Sequence, residues 1–219
     1  PYLQNGQLLR FPDAYDLSKN DNKGQGGWCV YNEINHDNET IGVMSYGSWH
    51  EGDKQTWSSV SSDYMNAEQR QSYLDAIESA RRIHADEEKR AKEKAQIQFA
   101  NIWDGLPDAN ANHPYLEKKG IKPHGIKQDG DKLVVPCYLN GALVGLQDIY
   151  PDGSKYFRKH STKGYLTLGD INADKVFICE GYATGVSIHE ATNGLVAIAF
   201  DVGNLFPTAS SLKDKHTII

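Results

Sequence analysis

From residue 175 onward the chain alternates short, wholly apolar runs with amphipathic ones, and few folds accommodate that pattern. Lys175 to Cys179 is apolar after its first residue and stops at Glu180-Gly181. Tyr182 to Thr192 has helical spacing at Ala183, Val186 and Glu190-Ala191, and Leu195 to Phe200 is apolar throughout. A strand that is hydrophobic at every position must be covered on both faces, as strands inside a parallel sheet are. After Asn204 a short helical pattern, with Leu205, Ala209 and Leu212 on one face, leads into a strand that begins near Thr217. The order β-α-β-α-β implies a parallel sheet with right-handed crossovers, whose active sites sit at the carboxyl ends of the strands. Glu180 occupies such an end, and Gly181 lets the chain turn sharply into a helix. A carboxylate there can ligate a metal or move a proton in phosphoryl transfer, with helix N–H groups beside it for an anion. It can equally be a solvated strand-end residue.

The expected fold class is α+β, in four parts. Residues 1–62 are rich in Gly, Asn, Asp and aromatics, with β-like runs at Gly27 to Tyr31 and Thr40 to Met44, and read as a small antiparallel β unit. Its aromatics, Phe11, Trp28, Tyr31, Tyr46, Trp49 and Trp57, serve either to stack on bases of a single strand or to build a core short of aliphatics. Residues 63–105 hold a helix from about Asn66 to Asp104, or two helices broken near His84, that docks at both ends and acts as a strut. Residues 106–172 form a basic antiparallel subdomain. Leu133 to Tyr138 and Ala142 to Tyr150 are joined by Asn140-Gly141 as a hairpin, and Pro151-Asp152-Gly153 turns into Lys155 to His160. Residues 173–219 are the partial parallel sheet.

The net charge of −6 argues against a protein that coats nucleic acid with a uniformly basic surface. Its distribution is uneven. Residues 1–75 carry 5 basic and 11 acidic side chains, and residues 113–169 carry 9 and 5, so phosphates would meet only part of the chain. Cys29, Cys137 and Cys179 are far apart and odd in number, and they suggest neither a disulfide framework nor a zinc site; zinc is not expected. His113 reads as a helix-start residue, and neither it nor His189 has partners at metal spacing. With no apolar run of about 18 residues and no signal-peptide pattern, no membrane association is expected and the location is cytoplasmic. Opening on Pro1 and closing on Ile218-Ile219, the chain reads as an excised segment.

The string from Val176 to Ser187, with Glu180-Gly181 at its centre, resembles the opening motif of Toprim domains. Leu195 to Phe200 resembles the second strand of those domains, and Asp201-Val202-Gly203-Asn204-Leu205 a loop common in their phage and plasmid primase-like members. Upstream, His113 to Ile121 is similar to the Tyr-Leu-x-x-Arg-Gly segment of bacterial replicative primases. Leu133 to Gly145 is similar to their hairpin, and Lys155-Tyr156 and Lys163-Gly164 to their Lys-Tyr and Lys-Gly elements. The resemblance covers about residues 113–219.

It implies that Glu180 is the catalytic or metal-site acid, with Mg2+ or Mn2+ as cofactor, and that Lys155 and Lys163 contact template, nucleotide or primer; Lys119 and Arg158 are secondary candidates. The family's Asp-x-Asp pair ends the strand that begins near Thr217, so it is expected within about ten residues of Ile219, and this segment by itself is expected to be inactive. Asp201, which also ends a strand, is a loop residue in the family pattern, near the metal at most. The implied activity is synthesis of RNA primers on single-stranded DNA from NTPs, with a helicase domain or partner alongside. Two alternatives stay open, a Toprim nuclease or topoisomerase-like enzyme and a non-catalytic module binding single-stranded DNA or a helicase. For the lysines on Lys155 to Lys163, a solvated edge strand is the ordinary alternative.

Overall fold

A computed structural model describes residues 3–21, 24–36 and 39–219. They form two compact units, Pro1–Lys89 and Arg90–Ile219. The first contains an antiparallel sheet of β1 (Leu8–Phe11), β2 (Gly27–His36), β3 (Glu39–Ser48) and β4 (Gln55–Ser58), in that order, with the short helix α1 (Ala14–Ser18) after β1. The strands expected at residues 27–31 and 40–44 run on to ten residues each. Asn66 and Gln69 form a reciprocal capping box at the start of helix α2 (Ala67–Gly105). In this unit Tyr73, Ala76 and Ile77 of α2 pack on Ile34, Ile41, Val43 and Met65.

Helix α2 is unbroken at His84. That residue is 3 % exposed, with its ring 4.1 Å from Trp28 and 4.1 Å from Trp49, and the Arg10 guanidinium lies 4.2 Å from the Trp49 ring. Trp49 stacks on the His84 ring and Trp28 lies tilted against it, so both indoles pack within the protein, and burial, with Lys54 nearby, keeps the imidazole below its usual pKa.

In the second unit the last turns of α2 bury Ala95 and Phe99 against Val134 and Leu146. His113 caps helix α3 (Pro114–Lys119), its Nδ1 accepting from the Tyr115 N–H, and Gly120 ends the helix at φ 65°. A four-stranded antiparallel sheet follows, in the order β5 (Lys127–Asp129), β6 (Lys132–Leu139), β7 (Ala142–Ile149) and β8 (Lys155–Phe157). Asn140 and Gly141, at φ 50° and 79°, make the tight turn that matches strand twist, as their dipeptide requires.

The second sheet contains β9 (Leu166–Leu168), β10 (Lys175–Cys179), β11 (Leu195–Ile198) and β12 (Thr217–Ile218) in the order β12-β10-β11-β9. Helices α4 (Tyr182–Thr192) and α5 (Leu205–Leu212) flank β11 in the chain. Strands β12, β10 and β11 are mutually parallel, as the apolar runs predict. The sheet also has an antiparallel edge, β9, which pairs Leu168 with Val196. Three residues are too few for periodicity to reveal, so β9 went unseen, as did β5. Its consequence is a shared core: Leu166 and Leu168 pack with Tyr115, Leu133, Val135 and Ile149 of the antiparallel part and with Tyr182, Val186, Val196 and Ile198 of the parallel part. Segments 106–172 and 173–219, read from sequence as a subdomain and a partial parallel sheet, thus contribute two sheets to one core. Each fully buried aliphatic adds about 1.5–3 kcal/mol. The three cysteines are buried free thiols. Among the described residues no helix is long and apolar enough to cross a membrane.

Candidate phosphate-facing site around Glu180

Glu180 follows the last residue of β10, the central strand of the three parallel ones. Its backbone oxygen accepts from Phe200 N at 2.8 Å, and its side chain is exposed. Gly181 caps α4 in extended conformation, and its carbonyl accepts from Gly185 N at 2.9 Å, closing the first turn. The turn is tight because α4 lies close on the sheet. A methyl group at Gly185 would come 2.4 Å from Cγ1 of Ile198, so only glycine keeps that approach. At the end of β11, Phe200 is held at φ 72°, a left-handed conformation that costs a bulky aromatic residue about 1–3 kcal/mol. Its ring meets Phe157 edge-on, with centroids 5.4 Å apart, and Asp201 comes next in the chain.

The antiparallel sheet and α3 bring cations to this end. The Lys155 ammonium lies 5.8 Å from the Tyr115 ring centre, and a methyl at Gly181 would sit 3.7 Å from its Nζ. Although the residue is exposed overall, partial enclosure of the ammonium, reinforced by repulsion from Lys119, lowers its pKa; Glu180 opposes the shift. Lys155 and Lys119, with Lys118, Tyr115, Asp152 and Gly153, line a cavity of ≈ 190 Å3. Tyr115 is 1 % exposed, and its buried hydroxyl has no hydrogen-bond partner among the described residues. The three lysines that line this open space suit an anion with several acceptor oxygens, and Tyr115 contributes its ring to the wall while its hydroxyl stays buried. Lys118 was not singled out from sequence; the Tyr-Leu dipeptide pointed to the segment but not to this wall.

Lys163 reaches the end of the adjacent strand β11 instead, with its Nζ 3.2 Å from Oδ1 of Asp201. Asn204, 5 % exposed, donates through Nδ2 to the Gly164 carbonyl at 2.7 Å and to the Ala199 carbonyl at 2.9 Å. Arg158 is engaged otherwise. Its Nη2 lies 2.8 Å from Asp148 and 2.9 Å from Asp129, and Lys132 completes the group at 3.3 Å from each carboxylate. Against the upward push of burial, hydrogen bonds from Arg158 and Lys132 hold the Asp129 carboxyl below its usual pKa. Of the five candidate residues, then, Lys155 feels the charges of both Lys119 and Glu180, Lys163 joins Asp201 past the end of the adjacent strand, and Arg158 braces the antiparallel sheet.

For a divalent cation, Glu180 offers one exposed hard oxygen ligand, whereas Asp201, past the end of the adjacent strand, sits in an exposed pair with Lys163. Among the described residues, donors that cluster at ligand spacing lie elsewhere, at Asp13, Asp16 and His50 of the first unit. There Asp13 already accepts from the Ser48 hydroxyl and lies 2.9 Å from His50 Nδ1.

Comparison with known proteins agrees with the resemblance seen in the motifs. The chain is 32 % identical over 141 residues to a DNA primase TraC of Escherichia coli, across 60 % of this chain and 13 % of that protein. To a second Escherichia coli DNA primase TraC it is 30 % identical over 170 residues, across 73 % of this chain and 12 % of that protein. The chain therefore spans about an eighth of the length of these curated relatives. No protein-family model matches it, and no solved structure is a significant match. The likeness is to proteins named as primases and reaches well beyond a single motif.

Proposed function

We propose that this chain supplies part of the nucleotide-joining centre of a primase-like enzyme, with Glu180 as its acid and Lys155, Lys119 and Lys163 as its phosphate contacts. The observation that carries the reading is the company Glu180 keeps: a carboxylate at the end of a central parallel strand, electrostatically coupled to an ammonium that borders a polar cavity. Primer synthesis on a single-stranded DNA template requires a 3′-hydroxyl to attack the α-phosphorus of an NTP while the bond to pyrophosphate breaks. Lys155 and Lys119 would neutralise charge on the phosphate oxygens. Glu180 would accept the hydroxyl proton or fix a metal ion. Magnesium or manganese, when bound, supplies polarisation of the phosphoryl oxygens; Glu180 would hold it with the expected Asp-x-Asp carboxylates. The register supports that expectation, because Val176 lies opposite Ile218 in the parallel pairing. Glu180 is four residues beyond Val176, so in a strand that continues, the fourth residue past Ile218 comes level with it.

The strand-breaking alternative is less well supported. Tyr182, the tyrosine nearest Glu180 in the chain, is fully buried. Its hydroxyl donates to the His124 carbonyl, and burial raises its pKa, so it is a poor nucleophile.

The test is primer synthesis on single-stranded DNA by a chain extended through the strand that starts at Thr217. Glu180→Gln should reduce the rate by about a hundredfold or more, with template binding retained. An unchanged rate removes Glu180 from the mechanism, and absence of paired acids level with Glu180 removes the enzyme reading.

A further inference from the structure

The loop that carries Lys163 is held on two sides. On one, Tyr138 and Tyr165 exchange backbone hydrogen bonds of 2.9 Å each, and Thr162 N donates to the Val144 carbonyl at 2.9 Å. On the other, the Asn204 amide bridges the carbonyl of Gly164, beside Lys163, and that of Ala199, the residue before Phe200. Asn204 is buried, at the end of a one-turn 3-10 helix (Val202–Asn204), and its own N–H donates to the Asp201 carbonyl at 3.1 Å. One side chain therefore ties the loop of the antiparallel part to the end of β11. By contrast the Lys163 side chain is 68 % exposed, in a surface pair with Asp201 that is worth little and easily exchanged.

From this contrast between a fixed backbone and a loosely paired ammonium, we infer that Asn204 is a positioning residue. It holds the Lys163-Gly164 backbone against the strand end, so that Lys163 leaves Asp201 for a nucleic-acid phosphate without first ordering the loop. The purpose assigned to this clamp rests on the phosphate-facing reading of the site; the clamp itself does not. The amide does what other side chains at this position cannot. Two carbonyl oxygens need two N–H donors from one small buried group, which an Asn amide has and an Asp carboxylate lacks. Pre-ordering the loop removes an entropic cost from binding and so acts on affinity through Lys163 alone.

Two measurements on the 219-residue chain test this. In hydrogen exchange of the free protein, Asn204→Asp should speed exchange of residues 162–166 about tenfold or more while β6 and β7 amides away from that loop stay protected. Unchanged exchange overturns the clamp. In titrations of a fluorescein-labelled oligothymidylate at several salt concentrations, Lys163→Ala should weaken binding about two- to fivefold and reduce the salt slope by about 0.7. Asn204→Asp should reproduce both effects in the parent background and add less than about twofold to Lys163→Ala, since residues that act as a unit are non-additive. Equal weakening in both backgrounds shows general loosening and overturns the inference. If Asn204→Asp does not fold, Asn204→Ser, which keeps one donor and adds no buried charge, takes its place with the same criteria. A parent chain that binds no strand even at low salt sinks the phosphate reading and the purpose assigned to the clamp, whereas unchanged exchange in the variant sinks the clamp alone.

Discussion

Gly164→Ala is the substitution whose cost the coordinates define most directly. Gly164 has a φ outside the left-handed region, so alanine is not excluded by backbone conformation; it is excluded by space. An added Cβ would lie 2.3 Å from the Tyr138 carbonyl oxygen and 2.8 Å from its carbon. Those are backbone atoms inside a sheet and cannot swing aside, so the loop must retreat by roughly 1 Å to reach ordinary van der Waals contact. That retreat stretches the two Tyr138–Tyr165 hydrogen bonds and the Asn204 bond to Gly164 O. At about 0.5–1.5 kcal/mol each, the loss is about 2–4 kcal/mol. Stiffening of the unfolded chain by alanine returns about 0.4–1 kcal/mol, leaving a net local destabilisation of about 1–3 kcal/mol. Native-state hydrogen exchange followed by mass spectrometry reads this locally: amides of residues 162–166 should exchange about 5- to 100-fold faster than in the parent, at roughly tenfold per 1.4 kcal/mol. Exchange within twofold of the parent would refute the reasoning and mean that the loop does not sit where the Tyr138 carbonyl forbids a side chain.

The remaining predictions concern charge. Arg158→Ala leaves Asp148 and Asp129 with Lys132 as their remaining cation in this network, and should lower the stability of the second unit by about 2–4 kcal/mol in urea denaturation while leaving the salt slope for single-stranded DNA unchanged; a reduced slope with intact stability would return Arg158 to the phosphate contacts. In the first unit, burial pushes the Asp13 carboxyl up, but hydrogen bonds from Ser48, the Asp16 N–H and His50 prevail and hold it at about 2, below its usual 3.8. A carboxyl depressed in the folded state stabilises it fully above about pH 4, and that contribution is lost as pH falls through about 2. Asp13→Asn should therefore flatten the fall of the urea midpoint between pH 4 and pH 2, followed by tryptophan fluorescence; a variant that keeps the parent's slope refutes the assignment.

Where one physical rule decided the outcome, the sequence alone was enough. Unbroken apolar runs announced the parallel strands β10 and β11, Asn140-Gly141 announced the hairpin, and the strand-turn-helix at Glu180-Gly181 announced a strand-end carboxylate. The elements that escaped are ones for which local pattern carries no signal. Strands β5 and β9 are three residues long and exist through their neighbours, and His84 looked like a point where the long helix could break until two indole rings enclosed it. Arg158 shows the same limit for the site. A basic residue between Lys155 and Lys163 reads as a phosphate contact, and only the fold reveals two carboxylates, from strands β5 and β7, converging on it. Asn204 escaped for a related reason, since it acts through one polar group buried among residues remote in sequence.

The single core shared by the antiparallel and parallel sheets bears on how this region can be rebuilt or inherited. Leu166 and Leu168 belong by sequence to the basic segment and by pairing to the sheet that ends in Glu180. A junction placed between residues 172 and 173 would strip one sheet of its edge and open the packing of the other, so the lysines and the acid cannot be exchanged between related proteins as separate cassettes. They travel as one block, and a chimaera that respects it should begin near Arg90, so that Ala95 and Phe99 of the long helix stay with Val134 and Leu146.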